Sequence, residues 1–265
     1  MKSLSLYSGL VSTQLRSSLM QALQYRADFF VDLLVELVSS FSALVPLLVV
    51  FHTRPSAAGV SFEFSLYVMG FFLLAQSLLD GWIQPSLLTL IDHIRKGSLD
   101  YVLLRPVDAQ WFVSTSRIVP VRFFNLLTGS GVIAFASSRS GTAPTFAGIA
   151  LGGLVFACGV AIIYSVMLIA VSVSFYVVKI DNLSHILTAL FDTARWPTRI
   201  FRGSFRFFLT FIFPVIVVTT LPADALRGVL SLRALAFAAL GALGFLFVSR
   251  AVFRHSLSRY ASASS

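Results

Sequence analysis

Three carboxylates, Asp28, Asp32 and Glu36, recur at four-residue steps and so share one face of a helix. Ionising a carboxylate in lipid is costly, so a proton- or cation-coupled carrier or channel acting without ATP would use such a stripe. The plainer alternative puts Asp28 and Asp32 at the membrane surface, paired with Arg26 or a neighbouring helix, and leaves only Glu36 inside the bilayer. Asp80, just before Gly81-Trp82, reads as a helix end at the interface with the tryptophan as anchor. The four histidines, His52, His93, His185 and His255, stand far apart, and none has a partner at metal-ligand spacing. Nothing matches the phosphate-cradling G-x-x-x-x-G-K-[ST] loop or a G-x-S-x-G nucleophile elbow. Gly129-Ser130-Gly131 reads as a small-residue run where helices pack, and the lone Cys158 as an apolar packing residue. A chain of this kind is expected to be no enzyme and to bind no cofactor or metal itself.

The largest soluble segment runs from about residue 84 to 117 and contains IRKGSLDYVLLRPVDAQ, Ile94 to Gln110. Leu87, Leu88, Leu90, Ile91 and Ile94 make an amphipathic helix, with Gly97 suited to a stop just after it. Leu99, Tyr101, Val102, Leu103 and Leu104 are then exposed unless something covers them. Arg105-Pro106 ends that piece, because proline disfavours helix at the residue before it. A short apolar piece presented by two membrane helices is a docking surface for another protein.

The elements that must position these groups follow from composition. Of 265 residues, 57% are hydrophobic and 12% charged, and the mean hydropathy is +0.88. A soluble domain carries about 25% charged residues. An ordinary cytoplasmic enzyme, a disordered tail and a secreted disulfide scaffold are thereby excluded. A crossing helix needs about 20 apolar residues, and suitable stretches fall at Phe29–Phe51, Phe64–Ile83, Ile118–Ala136, Phe146–Val178 and Leu232–Val252, with a sixth near Phe205–Leu221. The expected fold is all-α: one polytopic transmembrane domain over 1–265, with six spans. Leu4, Tyr7, Val11, Leu15 and Leu19 recur at helical steps between serines, so residues 1–26 should form a retained interfacial helix rather than a cleaved signal.

With both termini in the cytoplasm, fifteen lysines and arginines fall on the inner side. Four, Arg54, Arg139, Arg227 and Arg233, fall outside, and Arg122 lies inside a span. This bias gives the orientation. The +9 charge is scattered over helix ends, where it suits anionic membrane lipid and calls for no nucleic acid. Small residues four apart, Gly148 and Gly152, Ala157 and Ala161, Ala238 and Ala242, suit a helix or subunit interface.

The loop resembles that of bacterial type-2 ABC transporter permeases, which reads roughly I-x-x-G-x-L-D-x-x-L-L-R-P-v. Ile94, Gly97, Leu99, Asp100, Leu103, Leu104, Arg105, Pro106 and Val107 stand at those positions. Tyr25-Arg26-Ala27-Asp28-Phe29 is similar to that subfamily's opening of the first span. Gly59-Val60-Ser61 with Glu63 resembles its external segment, with Val60 in place of the usual tryptophan. Pro214, Leu221-Pro222-Ala223 and the ending Arg259-Tyr260-Ala261-Ser262-Ala263 also resemble the family. The resemblance implies an exporter half of the bacterial inner membrane. It would pair with a second permease subunit, identical or related, above two cytoplasmic ATPase chains that bind ATP and its Mg. The loop from 84 to 117 would hold the coupling helix, with Arg95 beside the residues just named, and would pass the closure of the ATPase dimer to the spans.

Residues 182–221 allow two readings. By hydropathy, Phe205–Leu221 is the fifth span, and Arg195, Arg199, Arg202 and Arg206 form one stripe of a cytoplasmic interfacial helix. By the resemblance, Leu183–Trp196 begins the fifth span and residues 197–221 are short re-entrant helices near the outer face. The four arginines would then contact lipid headgroups there or an anionic substrate headgroup.

Overall fold

A computed structural model describes residues 2–24, 26–53, 56–57, 59–141, 143–176 and 181–260; the side chains of 2–8, 21, 23, 26, 53, 56–57 and 181–186 are not described. Tyr25, Arg54, Val178, Lys179 and the Ala261-Ser262-Ala263 ending lie outside the described residues, as do the side chains of Leu4, Tyr7, Arg26, Leu183 and His185.

The described residues are mostly helical, with one pair of two-residue strands among them. Helix α1 (Lys2–Gln24) precedes α2 (Arg26–Thr53). It exposes Leu15 and Leu19, while the Ser18 hydroxyl accepts the Ile118 amide at 3.4 Å. Strands β1 (Ser56–Ala57) and β2 (Val60–Ser61) pair antiparallel and lead into α3 (Phe62–Leu78), whose first turn is capped by the Ser61 hydroxyl accepting the Phe64 amide at 3.2 Å. A π-helical turn, Leu79–Ile83, joins α3 to α4 (Gln84–Arg95), making one helix of 34 residues. At about 50 Å this exceeds the ~30 Å of bilayer hydrocarbon, so one end must project beyond it.

The helix formed by α3 and α4 is the centre of the molecule, and every residue from Phe64 to Leu73 is buried. After α5 (Leu99–Leu103) and α6 (Ala109–Ser114), a 3-10 turn at Pro120–Phe123 starts α7 (Phe124–Ser140), which runs antiparallel to α3. Gly81 lies against Phe123, Gly70 against Gly129, Tyr67 bonds Ser137 at 3.0 Å and Arg139 covers the Phe62 ring. A Cβ on Gly129 would stand 2.8 Å from the Gly70 carbonyl oxygen, so the small-residue run is where the two backbones meet.

Helix α8 (Phe146–Ser172) and α13 (Leu232–Ser258) run parallel, with Phe175 against Phe253 at one end. Between them come α9 (Asp181–Asp192), α10 (Gly203–Phe207), α11 (Val215–Val218) and α12 (Thr220–Leu226). Gly148, Gly152 and Gly159 of α8 lie against the backbone of α11 and α12, and Ala238 and Ala242 share a buried cluster with Ile162. These small residues therefore serve helix contacts within the chain; Ala157 is exposed.

Among the described residues, four helices are long and apolar enough to cross a membrane: Ala27–His52, Phe62–Arg95, Phe146–Phe175 and Leu232–Ser258. The expected span at Ile118–Ala136 is the shorter α7, of 17 residues. The expected Phe205–Leu221 span is not one straight helix: Gly203–Ile212 and Val215–Leu226 meet at 63°, across Pro214, which cannot donate to the preceding turn.

Candidate functional site

The loop after α4 is built as its sequence suggests. Gly97 adopts φ 64°, the left-handed conformation that ends a helix, and the Ser98 amide closes on the His93 carbonyl at 2.9 Å. The five-residue α5 follows and ends at Leu104, ahead of Arg105-Pro106. The loop's apolar residues divide into two sets. Leu99 and Val102 are buried, which corrects the expectation that both would be displayed; they hold α5 against the bundle. Tyr101 is 73% exposed, Leu104 81% and Leu103 41%, so these three form the outward face. Ile94 and Asp100 are half-buried, Arg95 and Pro106 exposed, and the Arg105 guanidinium sits over the Phe112 ring at 4.4 Å.

The return limb of the loop is fastened to the bundle. Asp108 caps α6 by accepting the Trp111 amide at 3.1 Å and takes an ion pair from Arg250 of α13 at 2.8 Å. That hydrogen bond from Arg250 holds the Asp108 carboxyl below the usual carboxylate range, against a smaller opposing effect of burial. Gln110 also accepts from Arg250 at 2.8 Å and donates to the Tyr164 hydroxyl at 3.0 Å. The Ser86 hydroxyl donates to the Arg117 carbonyl at 2.5 Å and accepts the Arg117 amide at 3.2 Å. Thr89 meets Ser116 at 2.7 Å, and the Trp82 indole donates to the Ser114 carbonyl at 2.8 Å. Pro85 has no N–H to give the Gly81 carbonyl its usual helical bond; that carbonyl accepts the Val119 amide at 2.7 Å. The tryptophan beside Asp80 is thus tied to this loop from a π turn inside the helix that runs from Phe62 to Arg95, which corrects the expectation of a helix end there.

The carboxylate stripe separates by depth. Asp28 and Asp32 are exposed, whereas Glu36 is 2% exposed. Arg122 and Asn125, from the start of α7, each donate to one Glu36 oxygen. Ser40, one turn on, donates to the Glu36 backbone carbonyl at 2.7 Å and to the Asn125 side-chain carbonyl. Asp80 bonds Gln76 and feels the charges of Arg122 and Glu36. Sequence reasoning marked Glu36 and placed Arg122 inside a span, yet did not pair them. The available signal was that a lone arginine in an apolar run needs a counter-charge.

The arginines of 195–206 do not form one helical stripe, which corrects the hydropathy reading. Two 3-10 turns, Thr193–Arg195 and Thr198–Ile200, flank Pro197, and α10 starts afresh. Phe191 stacks on Phe72, midway along α3, at 5.3 Å, and Arg195 pairs with Asp192 at 3.1 Å while its guanidinium covers Phe72. Arg199 reaches the start of α3, where it and Arg227 both cover the Phe64 ring, at 4.9 and 5.0 Å. Asp224 accepts two hydrogen bonds from Arg199, at 2.9 and 2.8 Å. Arg202 and Arg206 are exposed nearby in sequence. Since Phe64 is at the opposite end of the central helix from α5, Arg199 and the loop that carries α5 occupy opposite ends of the bundle. Asp224 and Arg227 were not singled out in this role by sequence; a 25-residue separation leaves no local pattern to find them.

Four helices long and apolar enough to cross a membrane among the described residues, with much of their apolar surface turned outward, define a polytopic α-helical membrane protein. The family model described as ABC-2 family transporter protein matches residues 37–264. The chain belongs to that family and is a membrane permease component of a transporter. No curated protein matches it.

Proposed function

We propose that this chain is the permease subunit of an ATP-driven exporter in the bacterial inner membrane, with both termini in the cytoplasm. Two permease subunits surround the pathway, and two ATPase chains bind below. The observation that carries the reading is the outward face of α5. Tyr101, Leu103 and Leu104 project from a loop pinned at Ser86, Asp108 and Val119. An apolar face on a rigid mount fits a groove in a partner, because little conformational freedom is lost on docking. ATP and Mg belong to that partner. With α5 on the cytoplasmic side, Arg199, Arg202 and Arg206 come to the outer side, where they would meet lipid or substrate headgroups. Six crossings follow if α7, which covers the depth of α3, and the stretch from α9 to Arg199, which runs past Phe72 to Phe64, each count as one. The bent pair begins after Arg199 and ends before Arg227, both on Phe64, and so turns back at that end.

The test is purification of the chain with its co-expressed ATPase. Tyr101→Asp and Leu104→Asp should lose the ATPase while the chain stays folded. Leu99→Asp is the wrong probe, since Leu99 lies on the buried face of α5. Full retention of the ATPase by both variants would refute the assignment.

A further inference from the structure

Helix α2 turns much of its surface outward, with Phe30, Leu34, Val38 and Phe41 all exposed. It is held firmly near two places. Toward its end Leu47 is buried and Phe51 packs on Phe62, a contact between apolar surfaces that has little directional preference. At Glu36 the hold is different in kind. Both carboxylate oxygens take donors from the Pro120–Asn125 corner, and Ser40 adds a bond to Asn125. Hydrogen bonds weaken steeply with misalignment, so this contact resists sliding where apolar packing yields.

That corner continues directly into the return limb of the coupling loop. Arg122 is three residues after Val119, whose amide sits on the Gly81 carbonyl. Arg117 and Ser116 are fixed to Ser86 and Thr89 of α4. A displacement of α5 therefore passes through α4 and the Ser86–Arg117 clasp to Arg122 and Asn125, and reaches α2 at Glu36. We propose that Glu36, Arg122 and Asn125 form the joint by which the coupling loop moves α2, a positioning role that rests on the reading of α5 as the ATPase dock.

The experiment uses a Cys158→Ala chain purified with its ATPase and placed in lipid nanodiscs. Nitroxides at Phe41→Cys on α2 and Leu154→Cys on α8, both exposed positions, report the distance between these helices with and without ATP and vanadate. The expected result is an ATP-driven shift that Glu36→Gln abolishes while the ATPase stays bound. The exchange Glu36→Arg with Arg122→Glu should restore it. Should Glu36→Gln fail to reach the membrane, Ser86→Ala with Thr89→Val decides instead, because it opens the clasp and leaves the Glu36 contacts in place; it too should lose the shift. A shift of unaltered size in either variant overturns the joint. So does a wild-type complex that binds ATPase and shows no movement of α2. A wild-type chain that holds no ATPase fails at the docking reading, before the joint is reached.

Discussion

The two ends of the central helix fasten their loops by different chemistry. At the α4 end, neutral hydrogen bonds from Ser86, Thr89 and Trp82 hold the limb from Ser114 to Val119, and the one ion pair described there, Asp108 with Arg250, holds only the start of α6. At the α3 start, charge does the holding: Arg199 grips Asp224, and Arg199 and Arg227 lie on Phe64. Many small neutral bonds make a mount that is stiff yet loses little with any one of them. A single charged grip concentrates the dependence on one residue. The first arrangement suits a loop that must carry load, and the second suits broken helices that have few backbone bonds of their own.

Substitutions should expose that contrast. The largest loss is expected for Arg199→Ala, which leaves the Asp224 carboxylate buried without its guanidinium; the cost should be about 3 kcal/mol, read by thermal unfolding in detergent. Next comes Gly81→Val at the α4 end. Its Cβ would stand 2.9 Å from the Phe123 ring, and overpacking of this kind costs about 1–3 kcal/mol. It should also speed protease cleavage between Arg105 and Arg117. Ser86→Ala removes both bonds to Arg117, costs about 1–2 kcal/mol, and should leave cleavage elsewhere unchanged. If Arg199→Ala proved milder than Ser86→Ala, the contrast between the ends would collapse.

A smaller effect is expected from pH at the Asp108–Arg250 pair. The hydrogen bond from Arg250 holds its folded-state carboxyl below the ordinary carboxylate value of 3.8. The pair's contribution is therefore complete above that value and fades as the pH falls through the folded-state value. Asp108→Asn should remove this acid sensitivity from loop proteolysis measured across the same range. Smallest of all, Leu104→Ala should change stability by less than about 0.5 kcal/mol, since the side chain is 81% exposed, while weakening retention of the proposed ATPase partner.

The sequence was most readable where local rules dominate. Gly97 stops α4 and Arg105-Pro106 bounds α5, because positive φ and the proline ring act on immediate neighbours. The runs that became α2, α8 and α13 were legible from hydropathy alone. Less could be read within α5, where five residues give too little periodicity to separate buried Leu99 from exposed Leu104. Residues 182–221 were ambiguous for another reason. Pro197 and Pro214 divide the stretch into pieces, and its true direction is set by Phe191 on Phe72 and Arg199 on Asp224, contacts distant in sequence. Glu36 was found by its type; its partner lay 86 residues away.

Proline at position 85 has a consequence for how the chain is made. A ribosome delivers Gly81 to the bilayer well before it delivers Val119, and until then the second crossing helix carries a backbone oxygen whose helical donor is missing. In hydrocarbon that oxygen is poorly tolerated. The helix from Phe62 to Arg95 and the limb from Ser114 to Val119 are therefore expected to mature as one insertion unit. A nascent chain arrested before residue 119 should remain within reach of the insertion machinery longer than one arrested just after it.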